Sequence, residues 1–202
     1  MLVFWKERLV MLAVPKTGTT ALEEALSPRA DLVFRNPPVV KHTPLYRYRR
    51  FLAPYLAATG AGDLETVALV RAPVDWLGSW WRYRSRADVA GQDNSTAGIS
   101  FDDFVREYCK RDPAPFAQVG SQARFLHDAG GAPVTHLFRY EDQPRFLAFL
   151  ASRLGPLPDM PRVNVSPARL IALSPGVERR LRDKRADEFA LWDGAGATDP
   201  PV

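Results

Sequence analysis

The chain has a single cysteine, Cys109, so it forms no internal disulfide. Its three histidines stand apart at 42, 127 and 136 and, with one thiol, make no zinc-ligand pattern. No metal is expected, and Cys109 reads as a half-buried thiol on a helix. No apolar run is long enough to cross a bilayer. The opening MLVFWKERLVMLAV is broken by Lys6, Glu7 and Arg8, which a secretory leader would not tolerate. A cytoplasmic place without a membrane span is therefore expected. Large charge excess is also missing. A net charge of +4 permits an anionic ligand without demanding nucleic acid, and no nucleic-acid partner is expected. There is no internal repeat. What remains, 46% hydrophobic and 25% charged over 202 residues, suits one globular domain with a full core. That domain is taken as residues 1–193, with a Gly, Ala and Pro tail over 194–202.

The pattern along the chain alternates strand with helix. Leu9 to Val14 and Thr66 to Val70 are short, unalternating apolar runs, as in strands buried on both faces. Asp31 to Arg35 and Val134 to Phe138 are further strand candidates, and Val39-Val40 reads as extended. Helices are predicted over Thr20–Leu26, over Leu45–Ala58 with a kink at Pro54, and over Val74–Arg86. Others follow Ser100, whose spacing to Asp103 is that of a capping box, then span Ser121–Asp128 and Pro144–Arg153, with a last one running from Ser174 to Trp192. Residues 87–100 read as a mobile loop. The expected architecture is α/β, a central parallel sheet covered by helices on both faces, with ligands beyond the carboxyl ends of the strands.

Two such strand ends carry chemistry. After Leu9–Val14 comes Pro15-Lys16-Thr17-Gly18-Thr19-Thr20, then a helix. The free amides at a helix start and the positive end of its dipole attract an anion. Gly18 lets the backbone approach it, Thr19 and Thr20 add hydroxyls, and Lys16 adds charge. A Walker A loop places its Lys after the second Gly, whereas Lys16 precedes Gly18, so the order is not Walker A. The plain alternative is an ordinary turn with a Thr cap. After Thr66–Val70 comes Arg71-Ala-Pro-Val-Asp75-Trp-Leu-Gly-Ser79. A guanidinium at a buried strand end is costly unless paired. Arg71 and Ser79 together offer an anion a two-pronged fork and a hydroxyl. The alternative is that Arg71 pairs with Asp75 and Ser79 only packs.

Taken together, P-K-T-G-T-T and R-x-P-x-D-x-x-x-S resemble the 5′-phosphosulfate loop and the 3′-phosphate motif of sulfotransferases that use 3′-phosphoadenosine 5′-phosphosulfate (PAPS). Arg139-Tyr140-Glu141-Asp142 is similar to that family's R-Y-E-D-L segment, with Gln143 in place of Leu. Asn164-Val-Ser166 before a basic helix is a looser echo of its bacterial and glycan-directed branches. The resemblance implies a P-loop-like three-layer fold and PAPS as sulfate donor without a metal. It also implies direct in-line transfer to a hydroxyl or amine on a small molecule or glycan. It places Lys16, Thr17, Gly18, Thr19 and Thr20 at the 5′ end of the donor, with Lys16 stabilising charge on the bridging oxygen, and Arg71 and Ser79 at the 3′-phosphate.

The acceptor needs a base, and His42, in the loop Lys41-His42-Thr43-Pro44, has a ring that titrates in the useful range. Glu23, Asp75 and Glu141 are the carboxylate alternatives. His136 reads as packed in a strand and His127 as lying near a helix end. Two departures stand out. Ala21 occupies the place where cytosolic members carry an adenine-stacking Trp, and their late Gly-rich loop is missing. Arg179, Arg180, Arg182, Lys184 and Arg185 read as a solvated helix face, and Tyr46–Arg50 and Arg82–Arg86 as either helix surface or anion contacts. The competing functions are a nucleotide-dependent kinase with an atypical phosphate loop and a non-catalytic nucleotide-binding protein.

Overall fold

The computed structural model describes residues 1–159 and 171–195. The Asn164–Ser166 echo and residues 196–202 of the expected tail lie outside them. Strands β1 (Leu2–Phe4) and β2 (Leu9–Met11) are joined by only Trp5 to Arg8, too short for a crossover, so they form an antiparallel hairpin. β3 (Leu32–Val33) lies antiparallel to β1 on its outer side. β4 (Glu65–Val70) and β5 (His136–Arg139) continue from β2 in parallel. The order is β3-β1-β2-β4-β5. The expected parallel sheet is thus corrected to a mixed one, parallel only across β2, β4 and β5.

Alternation along the strands builds a core on each face. On one face Val3, Val10, Leu12, Val14, Ala68 and Val70 meet Leu45, Tyr48, Leu56 and Leu126. On the other, Leu2, Phe4, Leu9, Met11, Val67, Leu69 and Phe138 meet Leu22 and Leu26 of α1 (Thr19–Leu26) and Phe146, Phe149, Leu150 and Leu154 of a late helix. The run after His42 is not one α-helix. Short α-helical pieces α3 (Leu45–Arg47) and α4 (Ala53–Leu56) follow α2 (Pro38–Lys41) and alternate with wider π-type turns at Tyr48–Leu52 and Ala57–Ala61. The wide turn before Pro54 accommodates a residue that has no N–H and would crowd the carbonyl one turn back. Val39-Val40, expected to be extended, is helical because Pro38 starts a turn there, with His42 N–H closing onto Pro38 O at 2.9 Å.

A third core contains no strand residue. Trp76, Leu77 and Trp81 of α5 (Pro73–Arg84) pack with Phe101, Phe104, Val105 and Tyr108 of α6 (Phe101–Tyr108). Val177 and Leu181 of a C-terminal helix complete it. Ser100 is the expected N-cap, its hydroxyl accepting from Asp103 N at 3.1 Å, while the Asp103 carboxylate accepts from that hydroxyl at 2.6 Å instead of from Ser100 N as in a full capping box. Residues 87–100 are not a free loop. Thr96 is fully buried and donates to Trp81 O at 2.7 Å, and the Trp81 indole donates to Ile99 O at 2.9 Å. After α7 (Gln122–Leu126) and β5, α8 (Gln143–Leu154) returns to the second face. The expected last helix is two, α9 (Pro175–Lys184) and α10 (Ala186–Gly194), broken at Arg185. Arg185 leaves helical geometry and its guanidinium donates to Tyr108 O at 2.6 Å.

The aromatic layer between β5 and α8 should dominate stability. Phe146 is 1% exposed, with its ring 5.6 Å from that of Phe138. Phe146→Ala is expected to lower unfolding free energy by about 3–5 kcal/mol in urea titration, with an unchanged slope.

Candidate functional site

The first part of the site grows out of the end of β2. Leu12 to Val14 stay buried, and Thr17, fully buried, donates its hydroxyl back to Val14 O at 2.9 Å. That bond closes the loop on itself. Lys16 takes a left-handed backbone at φ 67°, unusual for a residue with a side chain, and Gly18 takes one at φ 71°. Gly18 is required twice over, because an added Cβ would also meet the Tyr140 ring at 3.2 Å. Helix α1 starts without a side-chain cap and without an acidic residue in its first turn. Among the described residues, no acceptor meets the amides of Gly18, Thr19 and Thr20. The start of α1 therefore presents free donors at the positive end of a helix.

The second part comes from β4 and α5 and is tied to the first. The Trp76 indole donates to Pro15 O at 2.9 Å, and Arg71 Nη1 donates to Lys16 O at 3.3 Å. The Arg71 guanidinium lies 4.7 Å from the centre of the Tyr140 ring, and its Nε is buried without a partner. Arg71 makes no ion pair with Asp75; a carbonyl and a ring hold it instead. Its backbone is clamped by Gln122, fully buried, which accepts from Arg71 N and donates to Arg71 O, each at 2.9 Å. Gln122 N in turn donates to the buried Glu188 carboxylate at 3.2 Å. Glu141 accepts from Ala72 N at 2.8 Å and from the Trp192 indole at 3.0 Å, which ties the Arg139–Asp142 segment to the start of α5. Ser79 is buried on α5.

Lys16 projects onto α5. Its Nζ is 3.1 Å from the centre of the Tyr83 ring and 4.7 Å from that of Trp80. Arg86 lies against the same Tyr83 ring and Arg84 against the same Trp80 ring. Burial, then the charges of Arg86 and Arg84, lower the Lys16 pKa to about 7. Arg84 is itself buried and donates to the carbonyls of Pro115, Phe116 and Gln118. No carboxylate pairs with Lys16, Arg71, Arg84 or Arg86 among the described residues.

His42 stands beside α1, near Thr20, Glu23 and Glu24 of that helix. Its Nδ1–H donates to Ala13 O at 2.7 Å, since a carbonyl can only accept, and this leaves the Nε2 lone pair free. Burial, the first cause, and the nearby Lys41, amino terminus and Lys16 lower its pKa despite the Ala13 bond. It borders a groove of about 460 Å³ with Thr20, Glu23, Glu24, Arg35, Asn36 and Lys41. Glu23 is buried and paired with Arg35 at 2.5 Å and Lys41 at 3.0 Å. Burial alone would raise its pKa, but the bonds from Lys41 and Arg35 hold it below the usual carboxylate range.

The structure brings together Lys16 to Thr20 with Arg71 and the helix bearing Ser79, and sets His42 beside Thr20. His136 is in its strand, 3.1 Å from Glu65, and His127 bonds its own helix at Ala123 O. Tyr83, Tyr140, Gln122 and the Trp76 indole were not anticipated as site residues. Tyr140 carries a signal in its place within Arg139–Asp142, Tyr83 within Arg82–Arg86 and Trp76 within the Arg71–Ser79 motif, whereas Gln122 carries none. Comparison with protein-family models, with curated proteins and with solved structures gives no match.

Two outcomes follow. Gln122→Leu leaves Arg71 N–H and C=O without partners and should cost about 1–3 kcal/mol by urea unfolding. The Lys16 amine should acylate with a midpoint near pH 7 in competitive labelling read by mass spectrometry, against the ordinary value of 10.5. The folded state binds fewer protons than the unfolded one between those values, so stability rises with pH across that window. Lys16→Met should flatten the rise.

Proposed function

We propose that this protein is a sulfotransferase that moves a sulfuryl group from PAPS to a hydroxyl or amine acceptor by direct in-line transfer, on a P-loop-like α/β fold. The observation that carries the reading is the junction of the two motifs. A helix-start cradle and a strand-end arginine with an unpartnered Nε, joined through Lys16 O, suit one ligand with oxyanions at two separated points. The residues fit such a ligand chemically, because Lys16 and Arg71 are cations held by rings and a carbonyl rather than by carboxylates, and the neighbouring Glu141 carboxylate is already engaged by Ala72 N and the Trp192 indole.

When bound, PAPS supplies the sulfuryl group. In this reading the amides of Gly18, Thr19 and Thr20, with the Thr19 and Thr20 hydroxyls, hold the 5′ oxyanions, while Thr17 serves the loop itself. Lys16, with its pKa near 7, takes up a proton as the anion arrives and stabilises the charge that builds on the leaving oxygen. Arg71 and Ser79 hold the 3′-phosphate. His42 accepts the acceptor's proton at Nε2, while the Ala13 carbonyl fixes the ring and its tautomer. His42 suits the task better than the carboxylates. Glu23 is tied to two cations and is a weak base, and both Glu141 oxygens are already engaged.

Calorimetry with adenosine 3′,5′-bisphosphate and 5′-AMP tests this. The wild type should prefer the bisphosphate. Arg71→Ala should weaken it by about tenfold or more and leave 5′-AMP within about threefold. With PAPS and a panel of sugars, lipids and small alcohols, His42→Ala should lower turnover by about 10²–10⁴ without changing bisphosphate affinity. Tight Mg²⁺-dependent ATP binding with no affinity for the bisphosphate would replace the reading with a kinase. Bisphosphate binding without transfer to any acceptor would leave a nucleotide-binding protein.

A further inference from the structure

No Asp or Glu stands between Asp31 and Asp63, whereas Arg35, Lys41, Arg47, Arg49 and Arg50 all do. The large apolar side chains left exposed among the described residues all fall in the same stretch. They are Leu32, Val33, Val39, Phe51 at 61% and Tyr55 at 65% exposure. At the other described positions such side chains are at least partly covered. Cationic and apolar exposure therefore coincide in one segment of the molecule.

The helical run from Leu45 to Ala61 shows how the coincidence is built. Leu45, Tyr48 and Leu56 face the sheet and are buried. Arg47, Phe51 and Tyr55, four residues apart in turn, are exposed and form one outward stripe, with Arg50 and Arg49 exposed beside it. Arg50 lies 5.2 Å from the Phe51 ring, so cation and ring are presented together. Arg35 and Lys41 are partly neutralised by Glu23. Arg47, Arg49 and Arg50 have no ion-pair partner among the described residues.

We infer that this face docks on an anionic lipid bilayer. Three unpaired arginines on an outward face seek a surface of negative charge, and a membrane rich in anionic headgroups provides one. Phe51 and Tyr55 add the component that a purely ionic partner does not use, apolar groups that enter the headgroup–acyl boundary while the arginines stay at its polar side. A soluble polyanion would account for the charge but not for the exposed rings of Phe51 and Tyr55 beside it. No helix among the described residues is long and apolar enough to cross a membrane, so the attachment is peripheral and reversible. The inference does not depend on the sulfotransferase reading, because none of Arg47, Arg49, Arg50, Phe51 and Tyr55 belongs to that site.

Cosedimentation of the full chain with vesicles is the test. The protein should bind phosphatidylcholine vesicles containing phosphatidylserine and not those of phosphatidylcholine alone, with binding that falls as salt rises. R47Q/R49Q/R50Q should weaken it on the order of a hundredfold. F51A/Y55A should weaken it about tenfold or more. These side chains are exposed, so both variants should keep the wild-type circular dichroism and Tm. Absence of binding to the anionic vesicles overturns the inference. So does vesicle binding indifferent to F51A/Y55A and matched by heparin, which would assign the face to a soluble polyanion. A dimer without vesicle binding, broken by the same variants, would assign it to a second copy of the chain.

Discussion

The left-handed backbone at Lys16 is the constraint on which the site turns. With it, Lys16 O accepts from Arg71 while the next residues start α1 with their amides free. The Trp76 indole on Pro15 O and the Thr17 hydroxyl on Val14 O hold the residues on either side. A non-glycine residue in that region costs on the order of 1–3 kcal/mol and persists only where its surroundings fix it. Here one loop carbonyl is held by the first turn of α5 and the next by the residue that ends β4. The loop and the second motif are therefore one structural unit. The third core, built from α5, α6 and α9 without any strand, serves to hold α5 in place for that contact.

The electrostatics follow from the same packing. Lys16 and Arg84 are drawn out of water against Trp80, and Lys16 and Arg86 share Tyr83. Ring faces attract cations but carry no net charge, so the positive potential is lowered only partly. Carbonyls do the same for Arg84 and Arg71. Burial first, and then the charges of Arg86 and Arg84, lower the Lys16 pKa to about 7, so its positive charge is barely held there. Such a site gains most from an anion with several oxygens, because each cation it neutralises also relieves the others.

Much of this was legible in the sequence where local chemistry decides. β2 and β4 were found because strands buried on both faces leave unalternating apolar runs, and the starts of α5 and α6 because Pro73 and Ser100 carry their own start signals. Both anion motifs were visible for the same reason, each being a short run of donors at a strand end. What failed was nonlocal. β1 was hidden within an apolar opening that reads equally as the lead-in to β2, and its pairing turned a parallel sheet into a mixed one. Residues 87–100 have a loop's composition, yet Thr96 and Trp81 fix them through bonds that no spacing rule reveals. The Gln122 clamp is of the same kind. A glutamine on a short helix has no sequence signal for bonding both backbone groups of a residue at the end of another strand.

His42 shows how the two kinds of information combine. Its residue type and place in a polar loop made it a candidate base, but position alone does not distinguish a base from a surface histidine. The Ala13 carbonyl adds what the proposed base role requires, a proton fixed on Nδ1 and Nε2 left to accept. Ala13 belongs to the same buried extension of β2 that leads into Lys16. One strand end thus carries both the carbonyl that orients His42 and the cationic loop at the start of α1. Any shift of that strand end would move both together, so their relative placement is preserved by the most buried part of the sheet rather than by the loops that carry them.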